Sequence, residues 1–322
     1  MRRSVTVHVP AKVNLTLELL GVREQDGYHF LRSLVLPISL YETVSVSMLS
    51  DESHESPESS DALSISCVTN GDDGIDVEEL RTLPLENQLT VKAARALLNE
   101  VALKSPSVPP CLCEKKKLLI EVTKRVPIGA GMGGGSADAA GMLLALNQLW
   151  RLKLPLETLA DIGATVGSDI PAMMHGALVL MEGTGEKITP IFNAINSLWL
   201  VIVFPGIAVS TKDIYRAFNS DTVNGFSAAK DAICNEVLGH LRQADHQKLG
   251  KSLFNGLEKT VFRLYPEIRH WRDALLEAGA TGALLSGSGS AVFGVARDEE
   301  HANAIAQRIG GSVWCRVAKG SI

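Results

Sequence analysis

The run from Arg125 to Trp150, RVPIGAGMGGGSADAAGMLLALNQLW, puts five glycines within seven positions, 129 to 135, directly ahead of a helix-forming stretch. Glycines at that density let backbone N–H groups approach oxygen atoms closely, and a helix start adds unpaired N–H groups and the positive end of a dipole. The chemistry this suits is the binding of a phosphate-bearing ligand. Ser136 fits both as the N-cap of that helix and as a hydroxyl for a phosphate or its Mg²⁺. Asp138, read as part of the helix's first turn, suits the dipole but adds negative charge near the ligand. A tight strand-to-helix turn alone needs fewer glycines.

GAGMGG is also a literal glycine fingerprint of dinucleotide-binding proteins. That reading requires a second parallel strand after the helix, ending in an acidic residue about 20 positions on. The chain offers RLKLPLETLADIGATVG there, which has helical periodicity. No Gly-Lys-Ser or Gly-Lys-Thr closes the run either, so a Walker loop also fails.

Other polar residues stand in patterns able to do chemistry: Lys12 and Asn14 in PAKVN, Tyr28 and His29 in DGYH, Asp169 in GSDIP, Thr211 and Tyr215 in STKDIY, and the SGSGS turn at 286 to 290. Each also has a plain structural reading. Asp169 suits a helix cap, Lys12 a snorkelling strand residue, Tyr215 a core position at helical spacing, and SGSGS a loop between strands. Asn14 shares a strand face with Lys12.

The elements that must position these residues follow from periodicity. SVTVHV, KVNLTLELLG and ETVSVSML alternate at period two and predict an antiparallel, strand-rich opening. From Ser50 to Pro84 the chain is acidic and Ser-rich around one strand, ALSISCV, which predicts a mobile excursion. NQLTVKAARALLNEVAL is helical, with Leu89, Ala93, Leu97 and Val101 on one face. KKLLIEVTKRV is a strand feeding the glycine loop. The helix from Ser136 shows Leu143, Leu146, Leu149 and Trp150 as its apolar face, and LPLETLADIGATVG is a second helix. ALVLMEGTGEKITPI and LWLVIVFPG begin another strand set, helices fill about 210 to 278, and GALLSGSGSAVFGVA, a last helix and SVWCRV close the chain. No internal repeat of fixed period is found.

At 322 residues the chain suggests two domains by a prior of roughly 150 residues each. A net charge of −5 without a basic stripe argues against nucleic acid or an anionic membrane surface as partner. No apolar run nears the ~18 residues of a membrane span, and the first residues lack a signal-peptide pattern, so a cytoplasmic location is expected. Cys67, Cys111, Cys113, Cys234 and Cys315 match neither a disulfide framework nor a zinc site and read as free thiols. The MMHG stretch and the remaining histidines show no metal-ligand spacing.

PAKVNLTLELLGVREQDGYHFLRS, PIGAGMGGGSADAA, GSDIPAMMHG and LLSGSGSAVFG, in that order, resemble the motifs of the superfamily of galactokinase, homoserine kinase, mevalonate kinase and phosphomevalonate kinase (GHMP kinases). The resemblance covers most of the chain outside 50 to 84 and about 220 to 250. It implies an α+β, two-domain fold with the active site in the interdomain cleft, here divided as a nucleotide-binding part, 1–182, and a substrate-side part, 183–322. It implies ATP and Mg²⁺ as cofactors, with Asp169 as base and Lys12 as its cationic companion. Pro127, Gly129, Gly131, Gly133, Gly134, Gly135, Ser136, Lys124 and Gln88 fall on the nucleotide side. Asn14, Tyr28, His29, Thr211, Tyr215, Gly287 and Gly289 fall on the substrate side. The pairing of PAKVNLTLELLG with DGYH resembles the branch that phosphorylates the 2-hydroxyl of a cytidine-diphosphate-linked methylerythritol on the non-mevalonate route to isoprenoids. Tyr28 and Tyr215 would then sandwich the cytosine and His29 would read its polar edge. A sibling kinase for homoserine or a mevalonate-type alcohol, and a catalytically silent nucleotide-binding homologue, are the alternatives. The expected assembly is a monomer or weak homodimer. Two departures stand out: Gln88 follows Asn87 where the family often has asparagine, and Ser-Ala-Asp replaces its usual Ser-Ser-Asn after the glycines. With no second acidic residue assigned to Mg²⁺, the ion is expected to be held chiefly by ATP.

Overall fold

The computed structural model describes residues 3–50, 63–72, 74–104, 116–192, 198–221 and 232–320. Three strands open the chain, β1 (Arg3–Asn14), β2 (Thr16–Val22) and β3 (His29–Ser50), followed by β4 (Leu63–Gly71) and helices α1 (Glu78–Thr82) and α2 (Leu89–Lys104). Next come β5 (Lys116–Lys124), helices α3 (Gly134–Leu149), α4 (Leu156–Ala164) and α5 (Ile170–His175), and strands β6 (Val179–Gly183), β7 (Lys187–Pro190) and β8 (Leu198–Phe204). Helices α6 (Thr211–Asp221), α7 (Ala232–Arg242) and α8 (His246–Ser252) lead through the two-residue β9 (Phe254–Asn255) to α9 (Glu258–Leu264) and α10 (Pro266–Glu277). Strands β10 (Gly282–Leu285) and β11 (Val292–Ala296), helix α11 (Glu299–Ile309) and β12 (Trp314–Gly320) complete it.

Compactness does not follow chain order. One unit gathers Met1–Val9, Tyr41–Val126 and Gly134–Met174, and the other Pro10–Leu40, Pro127–Gly133 and His175–Ile322. In the first, the later half of β3 pairs antiparallel with β5, and β5 pairs parallel with β4. Period-two alternation sends Val44, Val46, Leu118, Ile120 and Val122 inward, where they meet Ala93, Leu97 and Val101 of α2 and Met142, Leu143 and Leu146 of α3. Helix α3 is buried on nearly every side, which its run of Ala, Gly, Met and Leu permits. Gly141 shows why small residues are needed: a Cβ there would lie 3.0 Å from Val44 Cγ2 and 3.2 Å from Val9 Cγ2. A mid-helix glycine costs about 0.5–1 kcal/mol relative to alanine. One buried valine contributes about 1.5–3 kcal/mol, so close seating of the helix on the sheet outweighs that loss.

In the second unit, β3 pairs antiparallel with β2 and β6, β6 with β7, and β8 with both β11 and β12, while β10 borders β11. The βαβ unit of a dinucleotide fold is indeed missing, since α4 follows α3 directly. The α+β expectation holds, with two parallel pairings, β4 with β5 and β2 with β9, inside otherwise antiparallel sheets.

The expected excursion from Ser50 to Pro84 needs correction where it is described. Beyond β4 the chain returns through Ile75 and Val77, both buried, and α1 is built from the acidic DVEEL run. Arg81 Nε donates to Thr69 O at 3.0 Å and Asp76 Oδ1 accepts Glu78 N at 3.0 Å. Two apolar anchors and these bonds suffice to order a segment that composition alone assigns to solvent. Residues 51–62, which carry most of the Ser-rich run, lie outside the described residues, as do Cys111 and Cys113. Cys67, Cys234 and Cys315 are free thiols.

Candidate active site

In the second unit the glycine loop is stitched down by its carbonyl oxygens. Ser290 N donates to Gly129 O at 3.2 Å, Ala291 N to Ala130 O at 3.0 Å and Lys12 N to Met132 O at 3.0 Å. Gly131 O accepts twice, from Lys12 Nζ at 2.9 Å and from Ser286 Oγ at 3.0 Å. Among the described residues no acceptor takes the N–H groups of Gly129, Ala130, Gly131, Met132 or Gly133. Acceptors spent on the protein and donors left over make a concavity for an anion. Alternation of backbone sign builds it: Gly129, Gly131 and Gly133 have φ of 68°, 74° and 71°, while Ala130 and Met132 between them keep negative φ. The loop and the SGSGS turn are in backbone contact, since a Cβ on Gly131 would come 2.2 Å from Ser286 O. SGSGS therefore supports the first loop.

Lys12 and Asn14 point to the same side of β1 and are both buried. Lys12 Nζ donates to Asn14 Oδ1 at 2.7 Å, and Asn14 Nδ2 donates to Ser33 Oγ at 2.7 Å. Ser33 Oγ in turn donates to Thr16 O at 2.5 Å. These two acceptors, Asn14 Oδ1 and Gly131 O, fix where the Lys12 ammonium sits. Gly287, at φ 56°, passes close beside it: a Cβ there would stand 2.9 Å from Gly131 O and 3.2 Å from Lys12 Nζ.

Asp26, Gly27 and Tyr28 of the DGYH run lie in the connection between β2 and β3, and His29 opens β3. Asp26 binds Arg23 through both carboxylate oxygens, at 2.9 and 2.7 Å, and Oδ1 also accepts Tyr28 N. Tyr28 is 58 % exposed, its ring flanked by the Arg23 guanidinium at 5.6 Å. An aromatic face held open to solvent in this way is free to stack on a flat ligand. His29 is buried, with Tyr215 of α6 at 4.8 Å between ring centroids and Phe218 at 6.0 Å. Tyr215 thus packs on the imidazole. Phe218 escaped sequence reasoning, although it lies one helical turn after Tyr215. Thr211, at the start of α6, shares a hydroxyl contact of 2.8 Å with Ser288, between Gly287 and Gly289.

The first unit carries the rest. Helix α3 starts at Gly134, so Ser136 is its third residue and not its cap; the two preceding glycines accept helical geometry. Asp138 is correspondingly past the first turn, and it does not face a ligand. It is buried, and its Oδ2 lies 2.6 Å from Lys124 Nζ, which also lies 2.6 Å from Glu42 Oε1. Glu42 Oε2 accepts Arg125 N at 3.0 Å. Burial pushes the Asp138 carboxyl up to about 7, with Lys124 pulling it down and Glu42 raising it further. Burial likewise raises Glu42 against the pull of Lys124. Burial disfavours the Lys124 ammonium, but Asp138 and Glu42 outweigh it and hold its pKa above the ordinary lysine value. Two carboxylates around one ammonium carry a surplus negative charge, and Asp138 Oδ1 has no hydrogen-bond partner. The substitution that departs from Ser-Ser-Asn therefore creates an internal ion pair. Lys124, expected beside the nucleotide, is 2 % exposed and committed to these two side chains. Glu42 was detectable: it shares period-two parity with Val44 and Val46, so its carboxylate had to point inward.

Asp169 is half-buried and stands immediately before α5, its carbonyl accepting Met173 N at 3.2 Å. Met173 and Met174 of the MMHG stretch pack into the hydrophobic core. Gln88 follows a single 3₁₀ turn, Leu85–Asn87, and its Nε2 reaches Leu80 O and Leu83 O only at 3.5 and 3.4 Å. Asn87 is exposed. Among the described residues no group of three or more His, Cys, Asp or Glu is placed to hold a metal ion, and no helix is long and apolar enough to cross a membrane.

These features agree with comparisons to known proteins. Residues 88–177 match the GHMP kinases N terminal domain and residues 237–314 the GHMP kinases C terminal domain. The chain belongs to the GHMP kinases. It is 36% identical over 324 residues to a protein of Geobacter metallireducens named 4-diphosphocytidyl-2-C-methyl-D-erythritol kinase, covering 98% of each chain. A protein of the same name from Shouchella clausii is 33% identical over 300 residues, 93% of this chain and 88% of that one. A crystal structure of 4-(cytidine 5'-diphospho)-2C-methyl-D-erythritol kinase superposes with a TM-score of 0.72 at 29% identity, covering 99% of this chain and 100% of the other. A crystal structure of L. major mevalonate kinase in complex with R-mevalonate shares the fold with a TM-score of 0.71 at 17% identity, covering 99% of this chain and 97% of the other.

Proposed function

We propose that the protein transfers the terminal phosphoryl group of ATP to the 2-hydroxyl of 4-(cytidine 5'-diphospho)-2-C-methyl-D-erythritol, a step toward isoprenoids. The observation that carries the phosphate half of this reading is the glycine loop, whose carbonyls at 129 to 132 are all bonded within the protein while its N–H groups are not. Five consecutive donors suit the oxygens of a triphosphate, and the chain then runs directly into the start of α3 and the Ser136 hydroxyl. The acceptor half rests on the relatives of that name and on Tyr28, His29 and Tyr215, which supply an open aromatic face beside a buried imidazole. Mg²⁺ would travel with the ATP oxygens and neutralise part of their charge.

In this mechanism Asp169 accepts the proton of the attacking hydroxyl. The alcohol oxygen forms its bond to the terminal phosphorus as the bond to the leaving ADP oxygen breaks. Lys12, oriented by Asn14 and Gly131, neutralises charge on the transferred group. Thr211, Gly287 and Gly289 border the acceptor, and Pro127 to Ser136 hold the nucleotide. Lys124 contributes by fixing α3 through the bond of its ammonium to Asp138, and not by touching the nucleotide. Gln88 borders the base. The division into a nucleotide side, 1–182, and a substrate side, 183–322, the cytoplasm as compartment, and a monomer or weak homodimer as assembly belong to the same proposal.

The test is ADP release by purified protein with ATP, Mg²⁺ and a panel of the cytidylylated methylerythritol, homoserine, mevalonate and galactose. Turnover with the first alone is expected. Turnover confined to another alcohol would assign the protein to a sibling kinase, and none at all to a silent nucleotide binder.

A further inference from the structure

The two-residue strand β9 has no role in the reading above, yet its second residue makes three bonds that converge on the site. Asn255 is buried. Its Nδ2 donates to Leu285 O at 2.9 Å and to Gly287 O at 2.8 Å, and its Oδ1 accepts Leu257 N at 2.9 Å. A carboxamide offers two donors on one nitrogen and an acceptor on the other arm, so a single rigid group joins the carbonyl just ahead of the SGSGS turn and one inside it to the start of α9. Strand β9 is itself bound to β2, the strand that follows Asn14: Phe254 N donates to Leu15 O at 3.3 Å and Gly256 N to Leu17 O at 2.8 Å.

The same turn presses on the reacting end of the site. Gly287, one of the two residues gripped through its carbonyl, leaves no room for a Cβ against Gly131 O and Lys12 Nζ. Ser286, between the two gripped carbonyls, donates through Oγ to Gly131 O, the acceptor that also orients Lys12 Nζ. Glu258 Oε1 reinforces the hold by accepting Leu285 N at 3.3 Å. We infer that Asn255 is a positioning residue for phosphoryl transfer: its carboxamide fixes the 285–287 backbone, and through it the glycine loop and the Lys12 ammonium. Aspartate is a near-isostere that removes both donors and sets a carboxylate against two carbonyl oxygens; alanine removes all three bonds without adding charge.

The inference rests on the phosphoryl-transfer reading, and two measurements separate their failures. Asn255→Asp and Asn255→Ala are compared with the unaltered protein for cooperative unfolding, for kcat and KM, and for affinity toward a non-hydrolysable ATP analogue by calorimetry. The expected result is retained cooperative unfolding, a fall in kcat of about 100-fold, as displacements near 1 Å bring, a KM for the alcohol within about threefold, and analogue affinity about tenfold weaker. Combined with Lys12→Met, Asn255→Asp is expected to add little further loss, because both act on one ammonium. Unchanged kcat and analogue affinity, a loss that adds in full to that of Lys12→Met, or failure of both variants to fold cooperatively would each overturn the inference. Should the unaltered protein release no ADP with any alcohol, the acceptor assignment fails and analogue binding still decides the role of Asn255. An unaltered protein that does not bind the analogue removes both.

Discussion

Gly131 and Gly129 differ by two positions and by what presses on them, and replacing each with alanine measures the contact between the glycine loop and the 286–290 turn. Both glycines have left-handed φ, 74° and 68°, so either substitution costs about 1–2 kcal/mol in backbone strain. At Gly129 the new methyl meets Ala208 Cα at 3.5 Å, an ordinary van der Waals distance. At Gly131 it meets Ser286 O at 2.2 Å and Gly289 O at 2.8 Å. A carbon–oxygen contact needs about 3.3 Å, so one of the two loops must retreat by roughly 1 Å. Forced overpacking of this kind costs about 1–3 kcal/mol more. Gly131→Ala should therefore be less stable than Gly129→Ala by that margin, read from denaturant midpoints at equal slope. The retreat also moves Gly131 O, the acceptor shared by Lys12 and Ser286, and a 1 Å displacement of a positioning group lowers kcat/KM about 100-fold, close to 2.7 kcal/mol. Steady-state ADP release at saturating alcohol gives the kinetic half. Equal stability and equal kcat/KM for the two variants would show that the loops do not bear on each other, and the account of the glycine loop would fall.

Three further outcomes are expected. Asp169→Asn should lose most of kcat while the ATP analogue still binds within a few-fold, and unchanged turnover would take the carboxylate out of the mechanism. Tyr28→Ala should raise KM for the cytidine substrate roughly tenfold and leave KM for ATP nearly fixed, since its exposed ring is proposed to stack on the base; an equal rise for both would contradict that placement. Asp138 is raised to about 7 in the fold, above its unfolded value, so the folded state holds its proton more tightly. Its stabilising effect is therefore full below the unfolded carboxyl range and is lost as pH rises toward 7. The stability of the unaltered protein relative to Asp138→Asn should accordingly decline between about pH 4 and pH 7, measured by denaturant unfolding. A difference that is flat or rises over that window would show that the Asp138–Lys124–Glu42 cluster holds no extra proton.

Much of this molecule was legible from local pattern. Alternation placed the opening strands, three- and four-residue spacing placed α2 and α4, and five glycines after a strand marked a loop with left-handed backbone at Gly129, Gly131 and Gly133. Such features are set by side-chain periodicity and by backbone freedom, both properties of neighbouring residues. The Glu42 carboxylate was within reach of the same argument, because strand parity turns it inward with Val44 and Val46.

Long-range packing decided the rest. The helix start at Gly134 and the inward turn of Asp138 depend on Lys124 and Glu42, 14 and 96 positions before Asp138 in the chain as numbered, waiting in the core to take its charge. Nor does any local rule tell that Phe218 would edge the His29 ring, that α1 would order an acidic run through Ile75 and Val77, or that Asn255 would hold the turn at 285 to 287. The sequence by itself determined which residue types the proposed chemistry draws on: a carboxylate, a lysine, a glycine loop and an exposed aromatic ring. Only the tertiary structure decided which of the loop's polar groups are consumed and which remain, because a carbonyl's partner can lie more than a hundred residues away, as Lys12 does from Gly131.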